Sequence, residues 1–351
     1  MKIQTITSWA LKLMIATVLI IVVSACSSDS SSSSNSTDNT GDNSAENDGD
    51  VHTVKIAYGQ QPDEAIGQMA EKWRELADEK SDGELELKLY PSSQLGDEAD
   101  VIDQAISGDS VITIAGYDYL MNYVPDAGIL TAPYIVDSIE EMLNLMETDW
   151  YEELHEELSD EGIEVINNTP LGIRHLMTDT EVTTPEDLKG KKIRVPENKM
   201  SIETLNAMGG SATPTPLGDL YTSLQQGLVD GAENPLPSLN ATKTQEVTDH
   251  LTLTGHQTFV VAWIGGSDYI DSIPEDLLDI LKETGEEASE YGKEVLEEQE
   301  SELLNEFEEE GIEIHEIDTE PFKEATKDVN EEFSDMTPDL YEKVQELVDS
   351  E

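Results

Sequence analysis

Residues 54–115 read VKIAYGQQPDEAIGQMAEKWRELADEKSDGELELKLYPSSQLGDEADVIDQAISGDSVITIA, and this stretch decides the fold class. Apolar runs at 54–58, 85–89 and 111–115 have the length and composition of short strands. Between them, residues 65–80 and 99–106 place apolar side chains at helical spacing. This β-α-β-α-β order predicts a parallel sheet covered by helices, and therefore an α/β protein.

The same alternation continues through the rest of the chain. Residues 138–158 are predicted to be helical, 164–167 extended, and 188–195 a turn leading into a strand. Two more helices are predicted over 202–208 and 220–228. Beyond Pro274 nearly the whole chain is predicted to be helical, with acidic runs typical of solvated helix faces.

The composition limits the possible functions. The chain has 351 residues with 19 Lys and Arg against 77 Asp and Glu, a formal net charge of -58. Nucleic-acid binding requires clustered cations, so it is excluded. The length suggests about two domains, and a single cysteine rules out an internal disulfide. Such an anionic surface is typical of saline or alkaline habitats, where salt screens the repulsion.

The N-terminus is predicted to be a signal peptide spanning residues 1–25. Lys2 and Lys12 precede an uncharged apolar run of eleven residues, 13–23, which suits a secretory signal and is shorter than the roughly 20 residues of a membrane span. The following Val-Ser-Ala-Cys resembles the bacterial lipobox, so Cys26 is predicted to carry a lipid. A signal anchor with an incidental cysteine is the alternative.

Residues 26–50 are predicted to form a disordered linker behind the lipid. Beyond Cys26 the segment is rich in Ser, Asp and Asn, contains no cation and cannot bury enough apolar surface to fold. It lacks the spacing of an EF-hand calcium loop. The lipid and the linker together would hold the folded part on the outer face of the cell membrane. We find no membrane-spanning run in the sequence after residue 25.

Five strings in a fixed order suggest a family. They are LYPSSQLGDE (89–98), TPEDLKGKKIRVP (184–196), TPTPL (213–217), LYTSLQQGLVDGAENP (220–235) and EVTDHLTLTGH (246–256). Together they closely resemble the DctP family, the extracytoplasmic binding proteins of tripartite ATP-independent periplasmic (TRAP) transporters. The resemblance implies an α/β, two-lobed periplasmic-binding-protein-like fold, with a ligand cleft between the lobes and a helical C-terminal region. It divides the chain into lobe I (51–173 plus 258–301) and lobe II (174–257 plus 302–351).

The resemblance also implies the ligand anchors. Arg194, in the KIRVP string, takes the position of the principal carboxylate anchor, with Arg174 in Gly-Ile-Arg and Asn234 in DGAENP as helpers. A guanidinium suits this role because it is always charged and matches a carboxylate with two parallel hydrogen bonds. The chain has only three arginines, and the third, Arg74, is predicted to form a surface ion pair. Structural alternatives remain open: an interface salt bridge for Arg174, an ion pair with a glutamate for Arg194 and a cap for Asn234.

Further contacts are implied for the distal part of the ligand. Leu217 stands where the family often has a Phe, and Tyr117 and Glu98 fall near positions that contact the distal end of ligands. The sequence shows no catalytic motif, and its His and Cys residues do not have the spacing of metal ligands. The sequence therefore predicts neither an enzyme, nor a metal site, nor a cofactor.

The predicted function is the capture of a small organic carboxylate for a TRAP symporter. A dicarboxylate, a sugar acid or a keto acid would each present the same anchor group. The predicted partners are this ligand, the TRAP membrane subunits and the membrane reached through the N-terminal lipid, and the protein is expected to be a monomer. Two alternatives remain: a ligand sensor that acts on a receptor kinase, and an extracytoplasmic hydrolase.

Overall fold

The computed structural model describes residues 51–349, so the predicted signal peptide, Cys26 and the linker lie outside the described residues. Within that range one open sheet of nine strands runs through the protein. The strands are β1 (His52–Ala57), β2 (Leu85–Tyr90), β3 (Ile112–Gly116), β4 (Ile163–Thr178), β5 (Lys192–Val195), β6 (Ser211–Pro214), β7 (Gly231–Pro235), β8 (His250–Gly266) and β9 (Glu313–His315).

Helices cover both halves of this sheet. They are α1 (Ala65–Lys80), α2 (Glu98–Ile106), α3 (Tyr117–Leu120), α4 (Ile139–Leu145), α5 (Asp149–Asp160), α6 (Lys199–Ala207), α7 (Leu220–Gln225), α8 (Leu236–Ala241), α9 (Ser267–Ile270), α10 (Glu275–Glu310), α11 (Glu320–Thr326) and α12 (Leu340–Val348). Short 3-10 helices lie at Pro125–Thr131, Pro185–Leu188, Leu217–Asp219, Thr244–Glu246 and Val329–Glu332. Within residues 51–349, every helix is too short or too polar to cross a membrane.

The strand order is β2-β1-β3-β8-β4-β7-β5-β6, with β9 beside the first residues of β8. β1 pairs in parallel with β2 and β3, which confirms the β-α-β-α-β unit predicted from residues 54–115. A second parallel set, β7-β5-β6, lies at the other end of the sheet. The two sets are joined by the long antiparallel strands β4 and β8, so the sheet is mixed rather than purely parallel.

Separate apolar clusters lie in the two halves of the protein, one built around β1–β3 and the other around β5–β7. Val54, Ile56 and Trp73 belong to a cluster beneath β1–β3, whereas Ile193 and Val195 belong to one beneath β5. The 36-residue helix α10 reaches both halves, because it contributes Leu281 to the first and Phe307 to a cluster beside β7. The exact lobe boundaries stay a prediction.

Glycines let α10 lie close to the first half of the protein. A Cβ at Gly292 would lie 2.9 Å from Met69 Cβ on α1, and one at Gly285 would lie 3.1 Å from the Trp73 ring. The indole Nε1 of Trp73 donates a hydrogen bond to Leu281 O at 3.0 Å. Although glycine weakens a helix interior, here it allows two backbones to approach.

The two long strands pair irregularly where they pass between the halves. Their pairing shifts between Pro170 and Gly172 and again between Arg174 and Leu176. Pro170 has no N–H to donate to the ladder, and Gly172 has φ +122°, which favours glycine. These irregularities bring Arg174 to the junction of the two halves, next to the cavity described below.

Candidate ligand cavity

A cavity of about 80 Å³ lies at the junction of the two halves. The loop after β1, the start of α2 and the start of α3 form one wall. β4, β5, β7 and the segment after β6 form the other. The polar side chains lining it include Gln60, Asp97, Glu98, Asp118, Arg174, Arg194, Glu197, Asn234 and Ser238, and the larger apolar ones Leu171, Leu217 and Phe259.

Arg194 is positioned by strand β5, which lies between β6 and β7. Its neighbours Ile193 and Val195 are fully buried in the core below the strand. Because side chains alternate along a strand, Arg194 projects from the opposite face. Its Nε donates to the carbonyl of Thr215 at 2.8 Å, and Thr215 N donates to Val195 O at 3.1 Å. The loop between Pro214 and Pro216 thus orients the guanidinium.

The Arg194 guanidinium has no anionic partner among residues 51–349. Its side chain is only 3% exposed, yet no carboxylate lies within 4.0 Å and no described residue accepts a hydrogen bond from its Nη groups. Burial and the charge of Arg174 lower the pKa of Arg194 to about 10 against the opposing effect of Glu233, so it remains charged at neutral pH. An unpaired buried cation is costly, so an anion placed beside Arg194 would be stabilised.

Arg174, in contrast, is already paired. Its Nη2 donates to Glu233 Oε1 at 2.8 Å and to Glu233 O at 3.2 Å, and its Nε donates to Glu233 Oε2. The guanidinium also lies 4.8 Å from the centroid of the Phe259 ring. Although burial raises the pKa of the Glu233 carboxyl, the Arg174 charge outweighs it and holds that pKa at about 2. The pair therefore adds little net charge to the cavity.

Two amide side chains have unused hydrogen-bonding capacity beside these arginines. Asn234 ends β7 with a buried carboxamide that has no hydrogen-bond partner among the described residues. Gln60 Oε1 is also buried, with no hydrogen-bond partner among residues 51–349. Both line the cavity, so both are available to a ligand.

Two carboxyl groups lie opposite the arginines. Glu98 Oε1 accepts from Gly116 N at 3.0 Å, and burial, aided by the charge of Asp118, raises the pKa of Glu98 to about 7. Asp118 Oδ2 accepts from Asn198 Nδ2 at 2.6 Å, while its Oδ1 has no partner among the described residues. Burial raises the pKa of Asp118 to about 6. Near neutral pH these groups can donate or accept hydrogen bonds.

The structure brings together Arg194, Arg174, Asn234, Leu217 and Glu98, but not Tyr117. The side chain of Tyr117 is fully buried, and its hydroxyl contacts Tyr151 and donates to Asn168 Oδ1 at 2.7 Å. It begins the short helix α3, which turns the next two side chains, Asp118 and Tyr119, toward the cavity instead. Tyr117 therefore does not line the cavity, whereas Asp118 and Tyr119 do.

Sequence reasoning also missed Asp118 and Gln60. Asp118 is the one charged residue between Val111 and Val124, in a run that otherwise consists mainly of apolar and aromatic residues. Buried carboxyls are rare, so a lone Asp in such a run was a usable signal. Gln60 stands in a polar loop and gave no comparable signal.

The chain is similar to known solute-binding proteins. The model of the DctP family, described as bacterial extracellular solute-binding protein, family 7, matches residues 56–336. A TRAP periplasmic solute-binding protein from Actinobacillus succinogenes, solved with bound L-galactonate, has a TM-score of 0.84 and 36% identity over 86% of this chain and 100% of that one.

Two further relatives agree with this similarity. A TRAP periplasmic solute-binding protein from Ochrobacterium anthropi with bound L-fuconate has a TM-score of 0.82 and 37% identity, over 84% of this chain and 99% of that one. A solute-binding protein from Chromohalobacter salexigens is 30% identical over 66% of this chain and 69% of its own length. The structural matches confirm the predicted two-lobed α/β fold class.

Proposed function

Since the chain belongs to the DctP family of bacterial extracellular solute-binding proteins, we propose that Arg194 anchors the carboxylate of its ligand. Proteins of this family bind small solutes for TRAP membrane subunits and are not enzymes, which removes the hydrolase alternative. In our proposal the anion is bound at the junction of the two halves, and the loaded protein is then recognised by the membrane subunits.

One observation carries the proposal: Arg194 is buried with no anionic partner among the described residues. A carboxylate would accept two parallel hydrogen bonds from a guanidinium and replace the water that burial removes. Asn234, whose carboxamide is free, would add a third hydrogen bond. Arg174 would contribute through Nη1, because its Nε and Nη2 already donate to Glu233.

We further propose that the ligand is a hydroxylated monocarboxylate such as a sugar acid. Glu98, Asp118 and Gln60 face the cavity with spare hydrogen-bonding capacity, which suits several hydroxyl groups. A second carboxylate would meet the two acidic side chains and be repelled. The sugar-acid ligands of the Actinobacillus and Ochrobacterium relatives support the same class.

A thermal-shift screen tests this proposal. L-galactonate and L-fuconate should raise the melting temperature, because a ligand at 100 times its Kd stabilises the folded state by about 2.7 kcal/mol. Galactitol, which has the hydroxyls without the carboxylate, should have no effect, and a dicarboxylate of similar length should have little. Stabilisation by galactitol equal to that by galactonate would contradict a carboxylate anchor.

The N-terminal attachment is a separate proposal that rests on the sequence. We propose that Cys26 is lipidated and holds the protein on the outer face of the cell membrane. Metabolic labelling with a fatty-acid analogue should mark the unaltered chain and not Cys26→Ala, which should also leave the membrane fraction. Labelling of the Cys26→Ala chain would favour attachment elsewhere.

A further inference from the structure

Two histidines and a glutamate meet where β9 pairs with β8, outside the ligand cavity. His250 and Glu313 are direct cross-strand partners, and His315 follows two residues along β9 on the same face as Glu313. One ligand atom from each of the three side chains lies within 4.8 Å of the other two. The two imidazole rings stack with their centroids 5.3 Å apart.

The distances suit a bound metal ion. His250 Nδ1 lies 3.1 Å from His315 Nε2 and 3.7 Å from Glu313 Oε2. With metal–ligand bonds of about 2.0–2.2 Å, neighbouring ligands in a tetrahedral site lie roughly 3.3–3.5 Å apart. The three donor atoms therefore need only small side-chain movements to share one ion.

A second acidic side chain lies on the far side of His315. Glu181 Oε1 is 3.8 Å from His315 Nδ1, the ring nitrogen that does not face His250. Metal-bound histidines usually donate their other N–H to a carboxylate, which fixes the ring orientation and strengthens the ligand. Glu181 is well placed for this positioning role.

The cluster is accessible from solvent and distant from the carboxylate anchors. The histidine side chains are 17% and 16% exposed, and that of Glu313 is 71% exposed. His250 pairs with Thr178, four residues along β4 from Arg174, which corresponds to about 13 Å at about 3.3 Å per residue. Ion binding here would not compete with the ligand.

We propose that His250, Glu313 and His315 bind one divalent transition-metal ion of the Zn²⁺ class, with Glu181 orienting His315. Imidazole and carboxylate donors suit such ions better than they suit Mg²⁺ or Ca²⁺, which prefer oxygen alone. The bound ion would join β9 to β8. It would thereby fasten the chain that follows α10 to the second half of the sheet.

Isothermal titration with Zn²⁺ tests the proposal on the full chain carrying Cys26→Ser, which removes the only thiol. Excess Mg²⁺ should be present to occupy the many surface carboxylates. We expect one equivalent of Zn²⁺ to bind and to raise the melting temperature. His250→Gln and His315→Gln should each weaken binding more than about 100-fold. Glu181→Gln should weaken it about 10-fold, as expected for a carboxylate that only orients a metal-bound histidine.

His52→Gln, on β1 far along the sheet from the cluster, is the matched control and should bind Zn²⁺ normally. Because a cluster variant could disturb the β8–β9 pairing, the unaltered ligands should also be examined directly. Electron paramagnetic resonance with Cu²⁺ in place of Zn²⁺ should show coupling to two imidazole nitrogens. A spectrum with oxygen ligands alone, or Zn²⁺ binding unchanged in both histidine variants, would overturn the proposal.

Discussion

The guanidinium of Arg174 lies in a two-pronged ion pair with the carboxylate of Glu233, and both side chains are almost fully buried. This pairing gives the two arginines of the cavity different roles. Arg174 is paired with a carboxylate, while Arg194, on the neighbouring part of the sheet, has no ion-pair partner among residues 51–349. The pair also braces β4 against β7, so it links the stability of the fold to the shape of the cavity.

Removing one member of this pair should destabilise the protein. Glu233→Gln leaves the Arg174 charge buried and unpaired, which typically costs about 3–5 kcal/mol. The free energy of unfolding without ligand, measured by urea denaturation, should fall by that amount. The double variant Arg174→Met with Glu233→Gln removes both charges and should recover part of the loss. A double variant less stable than the sum of the two single losses would contradict this account.

Ligand binding should be accompanied by proton uptake near neutral pH. Burial raises the pKa of Glu98 to about 7 and that of Asp118 to about 6, so both are partly protonated there. A carboxylate bound nearby raises these pKa values further, and protons are taken up from solution. Affinity should therefore fall by up to about tenfold as pH rises from about 5 to about 8, one pKa unit being a tenfold effect.

Titration calorimetry in buffers of different ionisation enthalpy measures this proton uptake. Glu98→Gln should reduce it and flatten the pH dependence. Glu156→Gln, which makes the same charge change at an exposed position of α5 outside the cavity lining, should leave both unchanged. Proton release on binding would contradict the predicted proton uptake.

Much of the fold could be predicted from periodicity, but its two longest strands could not. Only residues 164–167 of β4 were predicted as extended, whereas the strand covers Ile163–Thr178 and contains Pro170 and Gly172, residues that normally end strands. The predicted helix over 138–158 is divided into α4 and α5 at Thr148, whose hydroxyl bonds back to Leu145 O. Long-range pairing overrides such local signals.

Prediction of the site from the sequence was limited in the same way. Arginine was informative because this chain has only three, and two of them, Arg174 and Arg194, fall at ligand positions of the family. Tyr117 lies outside the cavity lining because one residue of helical rotation decides which side chain faces the cavity. The His250–Glu313–His315 cluster could not be found from spacing, since it is created by the pairing of β8 with β9, more than sixty residues apart in sequence.

Salt should not weaken ligand binding. The formal charge of -58 repels an anion at a distance, and raising the ionic strength from about 0.1 M to about 1 M shortens the Debye length from about 10 Å to about 3 Å. The contact at buried Arg194 is screened much less than the surface charges. Affinity measured by titration should therefore hold or rise over this range. A steep fall would indicate a ligand held by exposed, screened charges.

The central claim is tested most directly by titrating Arg194→Gln with the sugar acid that stabilises the unaltered protein best. Two hydrogen bonds to a charged group contribute about 1.5–3 kcal/mol each, so the loss should be at least about 100-fold. The free energy of unfolding without ligand should be unchanged or slightly higher, because an unpaired buried charge is removed. Arg74→Gln, which removes an exposed arginine paired with Glu71, should bind normally. Normal binding by Arg194→Gln would contradict the account.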